Sequence, residues 1–254
     1  MSSLNFRYSI RSNLPAHPES PASIGAKFVD TLEALSRIDP MVFPNWEVMD
    51  FPAIESLPLA TARPRIAAII DNNVSRDDFG QPEPYGGYSA GAYTSHSFSP
   101  RGMNLRIRAG GKNAGETDLE AGEYDMFPDP AVVTYPVFKA ALLAINAIWP
   151  SAWACAYAFR MDYDKVPLFP GAALFPYSRF HIPWLAYLSA PLAAGIELPP
   201  EIKSERSPDN GLLMIAADAR LEPTDPEHLR RARILAQTMI ARAGHPSSKG
   251  LAAS

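Results

Sequence analysis

Five histidines (His17, His96, His181, His228 and His245) and one cysteine, Cys155, are the natural metal ligands and nucleophiles of this 254-residue chain. The histidines stand singly. None has the HxxxH or paired spacing that puts two imidazoles on one helix face, and no second cysteine completes a zinc tetrad. Cys155 lies in the apolar run Ala152-Trp153-Ala154-Cys155-Ala156-Tyr157, where a buried, inert thiol is expected. The chain therefore offers no disulfide framework, and no metal site is expected. A serine hydrolase would need an arrangement such as Ser178 with His181 and a distant acid, because there is no GxSxG elbow; these residues read as a polar bend before a buried strand. There is no P-loop and no GxGxxG between a strand and a helix, and Gly86-Gly87 and Gly110-Gly111 read as turns. Asp162-Tyr163-Asp164 has the spacing of a sugar-nucleotide metal pair, but it follows a strand and precedes a proline-rich loop, as ordinary strand-end acids do. Nothing selects, among 27 acidic residues, a pair with the separation that glycoside hydrolysis requires. No catalytic residue and no cofactor is expected.

One stretch is uneven in charge. Glu116, Asp118, Glu120, Glu123, Asp125 and Asp129 occur with no Lys or Arg between them. One reading is a solvated strand face and loop. The other is an acidic docking surface that steers a basic partner, with Tyr124, Met126 and Phe127 as apolar anchors. On the second reading the interface residues are Asp118, Glu120, Glu123, Tyr124, Asp125 and Phe127.

The elements that would position these residues follow from composition and periodicity. With 47% hydrophobic and 10% aromatic residues the chain can bury a large core, so one domain over 1–244 is expected, two closely packed halves being the alternative. Its 26 prolines predict many irregular connections and argue against a helical bundle. A net charge of -4 argues against nucleic-acid binding, which needs a clustered cationic face. The first ten residues lack a basic segment followed by an apolar one, so a cytoplasmic location is expected. Ile182 to Ile196 is interrupted by Pro183, Ser189, Pro191 and Gly195 and is too short to span a membrane; it reads as core.

Leu4, Phe6, Tyr8 and Ile10 alternate with polar residues, which predicts an opening strand with one buried face. Ile24, Phe28, Leu32 and Leu35 predict an amphipathic helix near 22–38, ended by Pro40. A short helix is predicted from Arg63 to about Asn73, capped by Thr61. Asp77 to Gly91 reads as a surface loop. Leu105 and Ile107 alternate with arginines before Gly110-Gly111, and Asp118 to Phe127 is the expected return strand of a hairpin with a long tip. Tyr135 to Trp149 reads as a core helix. Trp153–Met161, Trp184–Leu188 and Gly211–Ala217 read as buried strands. Thr224-Asp225-Pro226-Glu227 predicts a capping box opening a terminal helix, with Leu229, Ala232, Ala236, Met239, Ile240 and Ala243 as its apolar face and Gly244 as its stop. The tail, 245–254, is expected to be disordered.

Three segments form a further pattern: Glu19-Ser20 through Leu32-Glu33-Ala34-Leu35-Ser36-Arg37-Ile38-Asp39-Pro40 with Phe43 and Trp46; Ser178-Arg179-Phe180 with Trp184-Leu185-Ala186-Tyr187-Leu188-Ser189; and Gly211-Leu212-Leu213-Met214-Ile215-Ala216 with Asp225-Pro226-Glu227-His228-Leu229. Together they resemble the immunity protein 52 family of bacterial polymorphic-toxin and type VI secretion systems. Ile24 stands where the family's first helix carries a Cys, and Lys27 where an Arg is usual. Residues 75–130 match no part of the pattern. The matching residues, Trp46 and Trp184 among them, read as scaffold. The resemblance implies an α+β fold with a mixed or antiparallel sheet, no catalysis, and a cognate toxin as partner, a basic restriction-endonuclease-like nuclease, bound in the cytoplasm without contact to nucleic acid or membrane. The interface is then expected in the unmatched middle. A non-catalytic module of another system, or a hydrolase with an unrecognised site, are the alternatives.

Overall fold

Alternation of Leu105 and Ile107 with Arg106 and Arg108 places the aliphatic side chains inside and the arginines outside along β5 (Met103–Ala109). In the computed structural model, which describes residues 6–51, 55–94, 99–122, 126–159 and 181–243, the chain divides into two compact units, Ile10–Ser151 and Met1–Ser9 with Ala152–Ser254. The architecture is α+β, and every ladder for which a register is defined is antiparallel.

In the unit of Ile10–Ser151 the strand order is β3 (Glu55–Pro58), β2 (Trp46–Asp50), β4 (Tyr88–Thr94), β5, β6 (Gly115–Ala121) and the part of β1 (Arg7–Leu14) from Ile10 onward. The predicted hairpin is β5–β6, with Arg106 opposite Asp118 and Arg108 opposite Glu116, but its return strand starts at Gly115, three residues earlier than expected, and ends at Ala121 instead of reaching Phe127. Its tip is the short turn after Ala109, where Gly110 has φ +80°. A Cβ there would sit 2.5 Å from the Ile24 methyl, so only glycine lets the turn approach the first helix.

That helix, α1 (Pro21–Ile38), buries Ile24, Phe28, Leu32 and Leu35 as the spacing requires. Ser20 Oγ accepts from the Ser23 amide at 3.2 Å to cap it. It packs on α4 (Tyr135–Ile148), and the Trp149 indole N–H donates to Thr31 Oγ1 at 2.8 Å. The Trp46 indole N–H donates to the Leu32 carbonyl at 3.1 Å, which ties β2 to α1.

The short helix differs from expectation. It begins earlier, as α2 (Leu59–Ala62), tightens to a 3₁₀ turn over Arg63–Arg65, and continues as α3 (Ile66–Asn72). Thr61 lies inside α2 and caps nothing. Pro64 has no N–H for the carbonyl four residues back, so the α ladder cannot run through it. β4 occupies the end of the stretch read as loop, because Ser89-Ala90-Gly91-Ala92 carries no β-branched signal. The first strand is also shifted, and Arg7, Tyr8, Ser9 and Ile10 are all buried, so both faces of that stretch are covered.

In the second unit β7 (Trp153–Phe159) pairs with β8 (Ile182–Leu188), β8 with β10 (Leu212–Ile215), and β10 with the edge strand β9 (Lys203–Arg206). Uninterrupted apolar runs in β8 and β10 are fully buried, and β9 is fully exposed. After the single turn α5 (Ala190–Ala193), α6 (Pro226–Ala243) lays Ala232, Leu235, Ala236 and Met239 inward and packs against β8. Its cap is Asp225, whose Oδ1 accepts from the amides of Glu227 (2.8 Å) and His228 (3.3 Å), and not Thr224. Pro226 takes the first helical position, which makes the residue before it the N-cap. Among the described residues no helix is long and apolar enough to cross a membrane.

Candidate functional site

The acidic run lies on β6 and the segment after it. Thr117, Leu119 and Ala121 point inward, leaving Glu116, Asp118 and Glu120 on the half-buried opposite face. Their neighbours are arginines. Asp118 Oδ2 lies 2.6 Å from the Arg11 guanidinium, with both side chains 22% exposed, and its position in the ladder is opposite Arg106. Glu116 is 3.9 Å from Arg108, and beyond the strand Asp129 is 3.9 Å from Arg101. Glu120 stands opposite Asn104. Charge counted along the chain thus overstates the field of this face, because the sheet supplies cations from β1 and β5. Alternating Arg106 and Arg108 facing alternating Glu116 and Asp118 was visible in the sequence once a register is assumed.

Met126 and Phe127 are 41% and 47% exposed, a small apolar step at the end of the acidic face. Glu123, Tyr124 and Asp125, three of the six expected interface residues, lie outside the described residues. The structure thus brings together Asp118, Glu120 and the arginines that partner this face, with Phe127 six residues beyond the end of β6.

The other chemistry-bearing residues have structural occupations. Cys155 is fully buried and burial drives its thiol pKa far up, so it stays protonated. The His181 ring packs edge-on against Tyr157 with centroids 4.3 Å apart. His228 Nδ1 accepts from the Glu222 amide at 3.0 Å and pins the approach to α6. His17 lines a cavity of about 250 Å³ with Glu19, Lys27 and Trp149. There Lys27 Nζ is 2.6 Å from Glu19 Oε1 and 5.2 Å from the Trp149 ring centroid. Burial alone would raise the Glu19 pKa, but hydrogen bonds from Lys27 and Ser23 outweigh it and hold the carboxylate low. Ser178 and Asp162-Tyr163-Asp164 lie outside the described residues. Among the described residues no three His, Cys, Asp or Glu side chains are grouped to hold a metal ion.

What these features define is an α+β fold with an antiparallel sheet and a charged, partly apolar hairpin face. No family model matches the chain, and no curated protein matches it. Among solved structures, the Pseudomonas aeruginosa T6SS protein PA0821 is similar, with a TM-score of 0.53 and 11% identity, over 93% of this chain and 73% of that one. The likeness is one of fold.

Proposed function

We propose that this chain is an immunity protein associated with a type VI secretion system, which binds a cognate toxin and neutralises it without catalysis. The observation that carries the proposal is the fold likeness to a T6SS protein over 93% of the chain. The resemblance of three segments to the immunity protein 52 family supports the same reading. The net charge of -4 suits a basic partner, and a nuclease must present a basic cleft to phosphates, so a restriction-endonuclease-like nuclease is the proposed toxin. The proposed contact face is the β5–β6 hairpin with Phe127, where exposed apolar area adjoins a row of carboxylates. The proposed location is the cytoplasm.

Co-expression tests this. A candidate toxin domain, taken from a reading frame adjacent to this chain's gene, is expressed in a sensitive host with and without the chain. Growth is restored by the chain and not by an unrelated immunity protein. Persistent killing in cells that contain folded chain rejects the proposal.

A further inference from the structure

Between α3 and β4 the chain leaves the sheet and returns as a hairpin-shaped excursion over residues 74–88. Bridges pair Val74 with Tyr88 and Arg76 with Pro82. The Ser75 amide donates to the Gly87 carbonyl at 2.8 Å, the Glu83 amide to Ser75 at 2.6 Å and the Asp77 amide to Gln81 at 3.0 Å. Its tip is locked further. Asp77 Oδ1 accepts from the amides of Phe79 (2.9 Å) and Gln81 (2.8 Å), and Arg76 Nη1 donates to the Gly80 carbonyl at 2.9 Å. The root is braced by the β5–β6 turn: the Lys112 amide donates to the Tyr85 carbonyl at 2.8 Å, and its ammonium lies 4.3 Å from the Tyr85 ring centroid.

This scaffold holds Phe79 at its tip, 88% exposed. A large aromatic ring in water on a fixed backbone is the arrangement of a binding anchor, because burying it in a partner gains apolar area and loses little backbone freedom. Beside the root is a hollow of about 450 Å³ lined by Phe51, Asn72, Asn73, Val74, Arg76 and Ser89. Asn73 is only 7% exposed, and neither end of its carboxamide has a hydrogen-bond partner. Both of its polar atoms are closed to solvent, so the polar groups that the hollow presents are Asn72, Arg76 and Ser89. The excursion also carries Asp77, Asp78 and Glu83 against the single base Arg76.

We infer that the excursion and the hollow at its root form a docking surface for another protein that offers an apolar pocket rimmed by basic side chains. Phe79 fills the pocket, Asp78 and Glu83 meet the rim, and the hollow takes a polar side chain of the same partner beside Asn72 and Ser89. A second copy of this chain is disfavoured, since a self-complementary contact sets the same acids against each other. An anionic bilayer is disfavoured by the same repulsion. The inference rests on the reading of the chain as a binding protein, but not on what the partner does.

The test places the photo-crosslinker p-benzoylphenylalanine at position 79 of the full chain, and as a control at exposed Gln237 of α6, in cells that make the chain. Adducts are identified by mass spectrometry. One basic protein, attached at position 79 and absent at 237, is expected. With that protein purified, Phe79→Ala weakens binding by about thirtyfold or more, Phe79→Trp stays within a few-fold of wild type, and Asp78→Lys slows association at low salt. No adduct at position 79, an adduct only with a second copy, equal labelling at 237, or unchanged binding by Phe79→Ala overturns the inference. The two readings separate cleanly. If position 79 captures no protein while the chain still protects cells from the toxin, the docking surface is wrong and the antidote role stands. If position 79 captures a basic protein that needs Phe79 for binding while the chain fails to protect in the co-expression experiment, the docking surface stands and the antidote role falls.

Discussion

The rings of Tyr8 and Trp184 meet edge to face, with centroids 6.0 Å apart and planes inclined at 70°. Each ring also carries a buried hydrogen bond, Tyr8 Oη donating to the Leu221 carbonyl at 2.7 Å and the Trp184 indole to Ala217 at 2.9 Å. Burial pushes the Tyr8 hydroxyl far above its ordinary pKa, so it remains a donor across the accessible pH range.

Trp184→Ala is accordingly expected to lose about 3–5 kcal/mol, and Tyr8→Phe, which removes one donor and keeps the ring, about 1–2 kcal/mol. Leu32→Ala, in the apolar stripe of α1, falls in the range of about 2–5 kcal/mol. Guanidinium denaturation of the three variants checks this; a Trp184→Ala protein as stable as wild type would contradict the core assignment.

Thr31 sits between two partners: its hydroxyl donates to the Lys27 carbonyl at 2.7 Å and accepts from the Trp149 indole at 2.8 Å. Thr31→Val keeps the volume and leaves the indole N–H without its acceptor, at a cost of about 1–3 kcal/mol. Thr31→Ser restores most of that loss in the same denaturation experiment. Equal stability of the Val and Ser variants would show that packing alone joins α1 to Trp149.

One contribution to acid stability sits at the start of α6. Hydrogen bonds and attraction from Arg230 and Arg231 hold the Glu227 pKa at about 2. The unfolded value is about 4.3, so the folded state prefers the ionised form. The stabilisation is then complete above about pH 4.3 and is lost as pH falls toward 2. In urea midpoints taken from pH 6 to pH 2, the gap between wild type and Glu227→Gln closes across that interval. Since the group is exposed, the gap also narrows in high salt. A gap independent of pH rules out the ion pairs as its source.

How far the sequence determines the fold differs between elements. α1, α4 and α6 were legible because apolar residues at three- and four-residue spacing recur over many turns, and β5–β6 because Arg106 and Arg108 alternate with aliphatic neighbours. β2, β3 and β9 were not read: they are short, and the exposed Lys203-Ser204-Glu205-Arg206 has no apolar face to betray a strand. The same limit applies to the candidate site. The acids of β6 were legible, but their arginine partners come from residues up to 107 positions away, as with Arg11 and Asp118. Phe79 reads in sequence as one aromatic in a polar loop, and only the hydrogen bonds of the excursion distinguish it as a held anchor.

On the proposed contact face, Phe127→Ala is expected to raise the dissociation rate from the cognate toxin, equivalent to about 2 kcal/mol if the ring is a central anchor. Glu120→Lys slows association instead and reduces its dependence on salt. Asp118→Lys also destabilises the fold, because it sets a second cation beside Arg11. Surface plasmon resonance at two salt concentrations separates the rates. Unchanged kinetics for Phe127→Ala and Glu120→Lys would remove the β5–β6 face from the interface.

The most direct measurement of the central claim is a titration of the proposed nuclease toxin, as a purified domain, with this chain. DNA cleavage is expected to fall in proportion to added chain and to stop at one equivalent, with no effect on an unrelated nuclease and no cleavage by the chain alone. Cleavage that continues undiminished at several equivalents of folded chain would contradict the account.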